Sequence, residues 1–262
     1  MRRHLLVIYG FARLVDDLGD EAPGDRLALL DGLSRQLDDV FSGRRPSHPL
    51  MQRLFETVVS RELPREPFDK LIQANRQDQV VTRYATFGEL VAYCRLSAAP
   101  VGELVLRLAD ACTPGTLALS EATCVGLQLA EFWQDLGEDA RQGRVYVPLE
   151  DVRRFGCEPR QFLESRADEP FRRLMAFEAE RTRSFLEEGR PLGGMLGGRL
   201  GLAVRLFTAG GLAALDDLRR RGYDTFATSG RVSRPRLLAA CLRELARGPA
   251  PWRRRLHPGG GR

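Results

Sequence analysis

Apolar residues return every three or four positions along almost the whole 262-residue chain, and the alternation expected of strands is nearly absent. Leu5, Ile8, Tyr9, Ala12 and Leu14/Val15 set the pattern, Leu27, Leu30, Leu33, Leu37 and Val40 repeat it, and Leu117, Cys124, Leu127 and Leu129 carry it on. Such spacing puts one apolar stripe on each helix, and a stripe of that kind is buried by packing helix on helix. An all-α fold follows. Breaks fall at residues 22–24, 42–49, 62–67, 113–115, 143–148, 156–159, 189–201 and 222–235, where glycine, proline and small polar residues interrupt the pattern. They are evenly spread, and none separates halves of different composition. One domain is expected over residues 1–248, with a basic, disordered tail over 249–262. The segment "RPLGGMLGGRLG" has no strand before it and no Gly-Lys-Ser/Thr after it, so it is expected to be a helix-joining loop and not a nucleotide-binding one.

Composition narrows the function. No run of about 18 apolar residues is present, and the N-terminus brings in acids early with no small-residue cleavage site, so the chain reads as cytoplasmic. Its five cysteines are scattered without a Cys-x-x-Cys pair, and its three histidines are too few for His-rich metal sites or Ser-His-Asp chemistry. The net charge of +5 suits an anionic partner. No motif or aromatic-basic platform supports nucleic acid. The arginine-rich tail leaves room for a peripheral contact with anionic lipid at the inner face of the membrane.

Two acidic segments stand out. In "ARLVDDLGDE" Asp16 and Asp20 are four apart, as are Asp17 and Glu21; in "LAEFWQDLGEDARQGRVYVP" Asp135 and Asp139 are four apart, with Glu131 one turn earlier. Residues four apart on a helix share a face, and like charges there destabilise it by about 0.2–0.5 kcal/mol. The acids are therefore expected to meet a cation. Magnesium suits them, because it takes hard oxygen ligands and is commonly held by one or two carboxylates together with substrate phosphates. Arg13 lies beside the first segment, and Arg141, Arg144 and Tyr146 follow the second. Carboxylates, magnesium and arginine together form a set that grips a diphosphate. Tyr9, Phe11, Phe132 and Trp133 are candidates to steady a carbocation, against the plainer reading of core packing.

The chain resembles the squalene/phytoene synthases, head-to-head prenyl transferases, from about residue 2 to 245. The resemblance is carried by "YGFARLVDDLGDE", "YCRLSAAPVGELVL", "LQLAEFWQDLGEDARQGRVYVP" and "GGLAALDDLRRRGYDTF". It implies an isoprenoid-synthase helical bundle around a central apolar cavity. It also implies that Asp16, Asp20, Glu131, Asp135 and Asp139 hold Mg2+, and that Arg144 and Tyr146 act on the diphosphate. Tyr9, Arg13, Asp17, Gln128, Arg141 and Tyr223 are implied to line the diphosphate and cavity, and Tyr93, Ala98, Val101 and Gly102 the prenyl channel.

Within the family, "YCRLSAAPVGELVL" and "FWQD" are most similar to bacterial hopanoid-pathway members. That similarity implies conversion of presqualene diphosphate and water to hydroxysqualene and diphosphate, with no NADPH and with other squalene/hopanoid enzymes as pathway neighbours. Condensation of two farnesyl diphosphates to presqualene diphosphate and phytoene-type synthesis are the enzymatic alternatives. A catalytically silent assembly or binding protein is the alternative of another class. Two departures bear on these readings. Glu131 stands where the family has asparagine, and about one helix that precedes "HLLVIYGFAR" in the family is missing from this sequence, through a misassigned start or a shortened chain.

Overall fold

The computed structural model describes residues 1–226 and 233–247, and the expected tail at 249–262 lies outside them. The described residues form helices and no strand; one isolated parallel bridge, Arg83 to Val145, is the sole β-type pairing among them. In chain order the helices are α1 (Arg2–Asp16), α2 (Arg26–Phe41), α3 (Pro49–Arg61), α4 (Glu66–Asp78), α5 (Phe87–Ser97), α6 (Ala99–Leu108) and α7 (Pro114–Arg141). They continue as α8 (Leu149–Arg154), α9 (Arg160–Leu163), α10 (Glu169–Gly189), α11 (Leu192–Leu196), α12 (Gly198–Arg220) and α13 (Arg234–Arg247). A π-helical turn, Asp17–Glu21, extends α1.

Local chemistry sets several of the ends. Thr86 and Glu89 form a reciprocal capping box at the start of α5, the Thr113 hydroxyl caps α7 ahead of Pro114, and Asp168 accepts from the Phe171 N–H at the start of α10. The expected loop at 189–201 is only partly a loop: residues 192–196 make the short helix α11, and Gly197 (φ 61°) and Gly198 (φ 52°) supply the turn into α12. Further breaks, unmarked in the apolar pattern, fall at 79–86 and 164–168; the break expected at 113–115 begins earlier, at residue 109, and at Ala98 α5 gives way directly to α6.

The helices enclose two cores. One joins α1 to α4 with Leu104 and Leu108 of α6, around the fully buried Phe11, Leu30, Leu54 and Phe68. The other surrounds α7, where Trp133, Leu136, Phe171 and Leu186 are fully buried. Helices α7 and α10 can approach closely because each puts a glycine against the other, Gly126 facing Leu186 and Gly189 facing Thr123. A Cβ on Gly189 would stand 2.1 Å from Thr123 Oγ1 and 2.8 Å from the Leu119 carbonyl oxygen. Among the described residues α12 is the one helix long and apolar enough to span a bilayer; 39% of its apolar stretch is buried, and Gly201, Thr208, Leu215 and Leu218 are among its residues packed into the bundle.

Candidate active site

A cleft of about 780 Å³ opens between the C-terminal ends of α1, α4 and α7 and the loop that follows α7. Asp16 and Asp20 line one side and Glu131, Asp135 and Asp139 the other; Gln128, Arg144 and Tyr146 join them as foreseen, and Tyr93, expected along the prenyl channel, lines this same cleft. Glu21, Asp78 and Arg26 also face the cleft, so seven carboxylates meet two arginines.

The first acidic wall is shaped by the π turn. The Ala22 N–H donates to the Asp17 carbonyl at 2.8 Å, an i+5 bond that widens the turn. Gly19 inside it lies against α4 so closely that a Cβ would reach 2.2 Å from Asn75 Oδ1. That proximity lets Asn75 Nδ2 donate to Asp16 Oδ1 at 3.3 Å, while Gln79 Nε2 donates to the Gly19 carbonyl at 2.9 Å.

The second wall is the last two turns of α7. Beyond it Gly143, at φ 84°, reverses the chain, and the Arg144 N–H closes on the Asp139 carbonyl. The N–H groups of Val145, Leu149 and Glu150 donate to the carbonyls of Thr82, Tyr84 and Ala85. Held along residues 82–85, the loop places Arg144 Nη1 3.1 Å from Asp20 Oδ1 and stacks Tyr146 on Phe132, with centroids 3.8 Å apart and planes 6° from parallel. Tyr93 flanks this stack at 6.1 Å from Tyr146, and its Oη donates to Asp78 Oδ2 at 2.6 Å.

Electrostatics mark the acids as under-neutralised. Burial pushes the Asp139 carboxyl up to about 7, with repulsion from Asp135 adding and Arg144 opposing. Burial likewise lifts Asp78 to about 6 against its hydrogen bond from Tyr93, and it raises Asp16 and Glu131. The Tyr93 and Tyr146 phenols are raised by burial as well and stay protonated at neutral pH.

The remaining expected residues lie elsewhere. Arg13 pairs with Asp17 at 2.8 Å and Glu21 at 2.9 Å on the outer side of α1, and Tyr9, one turn earlier on that face, is 68% exposed; Glu21 at the cleft rim is their link to the site. Helical phase is the reason, since residues at 9, 13 and 17 share a face about 100° from that of Asp16. Arg141 turns back to donate to the Gly137 carbonyl at 2.9 Å. Tyr223, at φ 60°, packs against the second core outside the cleft.

Val101 and Gly102 line a separate apolar cleft of about 200 Å³ between α6, α7, α11 and α12, which shares no lining residue with the polar one. Ala98 sits at the α5–α6 junction and lines neither. The expectation of a central apolar cavity thus resolves into a polar cleft and a distinct apolar one. Of the aromatic candidates only Phe132 faces the acids. Phe11 is fully buried in the first core, and Trp133 Nε1 donates to Thr182 Oγ1 at 2.7 Å in the second.

Asn75, Asp78 and Ser97 were not singled out in the sequence. Asn75 and Asp78 are three apart on α4, a spacing that puts both on one face, and this was the available signal.

This fold is that of an isoprenoid synthase. The sequence profile of the squalene/phytoene synthase family matches residues 1–238, and the chain belongs to that family. The crystal structure of squalene synthase HpnC from Alicyclobacillus acidocaldarius is similar at 41% identity and TM-score 0.81, over 84% of each chain. A ligand-bound dehydrosqualene synthase shares the fold at TM-score 0.82 and 24% identity, over 94% of this chain and 88% of that one. Phytoene synthase of Arthrospira platensis is 32% identical over 244 residues, 86% of this chain and 77% of the relative. Against other cyanobacterial and plant phytoene synthases the chain spans from 48% to 83% of their length.

Proposed function

We propose that the cleft binds a prenyl diphosphate with Mg2+ and converts presqualene diphosphate and water to hydroxysqualene and diphosphate. The observation that carries this reading is the convergence of both acidic segments and Arg144 on one space. Among the described residues no three acids or imidazoles gather closely enough to cage an ion by themselves. That fits an ion held by one or two carboxylates and completed by phosphate oxygens. Asp16, Asp20, Glu131, Asp135 and Asp139 are the carboxylates from which those ligands would be drawn. Bound there, the ion would neutralise charge on the departing diphosphate.

The chain's own side chains supply the rest. Arg144 exchanges Asp20 for phosphate oxygens, offering a planar fork of donors. The Phe132–Tyr146 stack presents an aromatic face to the carbon centre as the C–O bond to diphosphate breaks. Water's oxygen then forms the new C–O bond and its proton leaves, so no hydride donor enters. The apolar cleft beside Val101 and Gly102 offers hydrocarbon-compatible walls. A cytoplasmic enzyme making so apolar a product hands it to a membrane.

A second reading, condensation of two prenyl diphosphates, is favoured by the relation to phytoene synthases. Incubation with presqualene diphosphate and magnesium without NADPH is expected to give hydroxysqualene. Presqualene diphosphate from farnesyl diphosphate alone, or phytoene from geranylgeranyl diphosphate, would replace the first reading with the second. No stabilisation by magnesium with diphosphate in a thermal-shift assay would point to a silent binding protein.

A further inference from the structure

Helix α13 turns its one acid inward and a stripe of leucines outward. Glu244, the sole acid on this helix, is buried and pairs with Arg190 at 3.0 Å and Arg205 at 3.2 Å. Ala240 is buried on the same side, one turn earlier. Leu238 (60% exposed), Leu242 (55%) and Leu245 (47%), at i, i+4 and i+7, form a stripe on the outside. A surface helix ordinarily does the reverse. Leu237 of the same helix lies against Gly210 of α12, one turn from Phe207, a 64% exposed ring at the edge of the apolar cleft.

The surroundings are cationic. Asp217 serves three arginines, Arg220, Arg221 and Arg236, and Arg243 is exposed beside the stripe. The sequence after the helix continues with Arg253, Arg254 and Arg255, in a chain of net charge +5. An apolar helical face bordered by arginines matches a bilayer surface in both respects: leucines enter the acyl boundary and cations meet anionic headgroups. We propose that the outward leucine face of α13 docks on an anionic membrane surface, with the apolar cleft at Phe207 turned toward the lipid.

The test is co-sedimentation of the full chain with vesicles of phosphatidylglycerol and phosphatidylcholine, and with phosphatidylcholine alone. The chain is expected to partition onto the anionic vesicles at least ten-fold more strongly. The triple variant Leu238→Ser, Leu242→Ser, Leu245→Ser is expected to lose at least ten-fold of that binding, whereas Val59→Ser, an equally exposed apolar position on α3, keeps it. Circular dichroism checks that the triple variant is folded. Independently, Leu242→Trp is expected to add a blue-shifted emission on anionic vesicles beyond any shift of the unsubstituted protein. Absence of vesicle binding, equal binding by the triple variant, or no added shift from Leu242→Trp would overturn the proposal. So would conversion of a dimer to a monomer by the triple variant in sedimentation velocity, which would assign the face to a second copy of the chain.

Discussion

Asp20 and Arg144, 124 positions apart in sequence, meet at 3.1 Å across the cleft. Their side chains are 51% and 24% exposed, and a pair that open to water is worth about 0–1 kcal/mol. So weak a contact is no stability device. It holds a guanidinium over the acidic walls and lets it go cheaply to a stronger oxygen ligand.

Arg144→Lys tests that role. A lysine keeps the charge but loses the planar fork, and turnover is expected to fall about ten- to hundred-fold, equivalent to about 1.4–2.8 kcal/mol. Steady-state kinetics on the prenyl diphosphate reads it, and an unchanged kcat/KM would remove Arg144 from diphosphate binding.

Asp139→Asn is expected to abolish turnover while stabilising the fold. The Asp139 carboxyl is raised from 3.8 when unfolded to about 7 when folded, so between those values the folded state retains a proton that the unfolded state has released. Its contribution to stability therefore declines as pH rises from about 4 to about 7 and is level above that. The gain in Tm from Asp139→Asn is accordingly expected to grow across this window and then flatten. A gain that shrank with rising pH would contradict the assignment.

Tyr93→Phe removes the 2.6 Å hydrogen bond to Asp78, which opposes the upward push of burial on that acid. Hydrogen bonds to charged groups are worth about 1.5–3 kcal/mol. If ionised Asp78 is needed for turnover, the acid limb of the pH–rate profile is expected to move upward from about 6 in the variant. Loss of rate with no movement of the limb would make Tyr93 a packing residue only.

The helical class, most of the helix ends and the two acidic walls were legible in the sequence, because periodicity and i,i+4 spacing are local properties. What was not legible depends on phase and long-range placement. The π turn at Asp17–Glu21 and the outward turn of Tyr9 and Arg13 depend on how α1 is rotated against α4. Asp78 joins the site only because α4 brings it beside Asp20 and Tyr93. Helix α11 was hidden by its glycines, and the aromatics divided between core and cleft in a way that composition could not resolve.

Gly189→Ala tests the packing account away from the site. The added methyl would meet the α7 backbone inside contact distance, and overpacking of this kind costs about 1–3 kcal/mol. Urea denaturation is expected to show a lower midpoint at unchanged m-value.

In the proposed function both acidic segments and a divalent ion form one diphosphate clamp. Calorimetric titration of pyrophosphate into the full chain, with and without magnesium, tests it most directly. Binding is expected only with magnesium, and it is expected to be lost in Asp20→Asn and in Asp139→Asn alike. Equal binding without the metal, or retention of full affinity by either variant, would contradict the account.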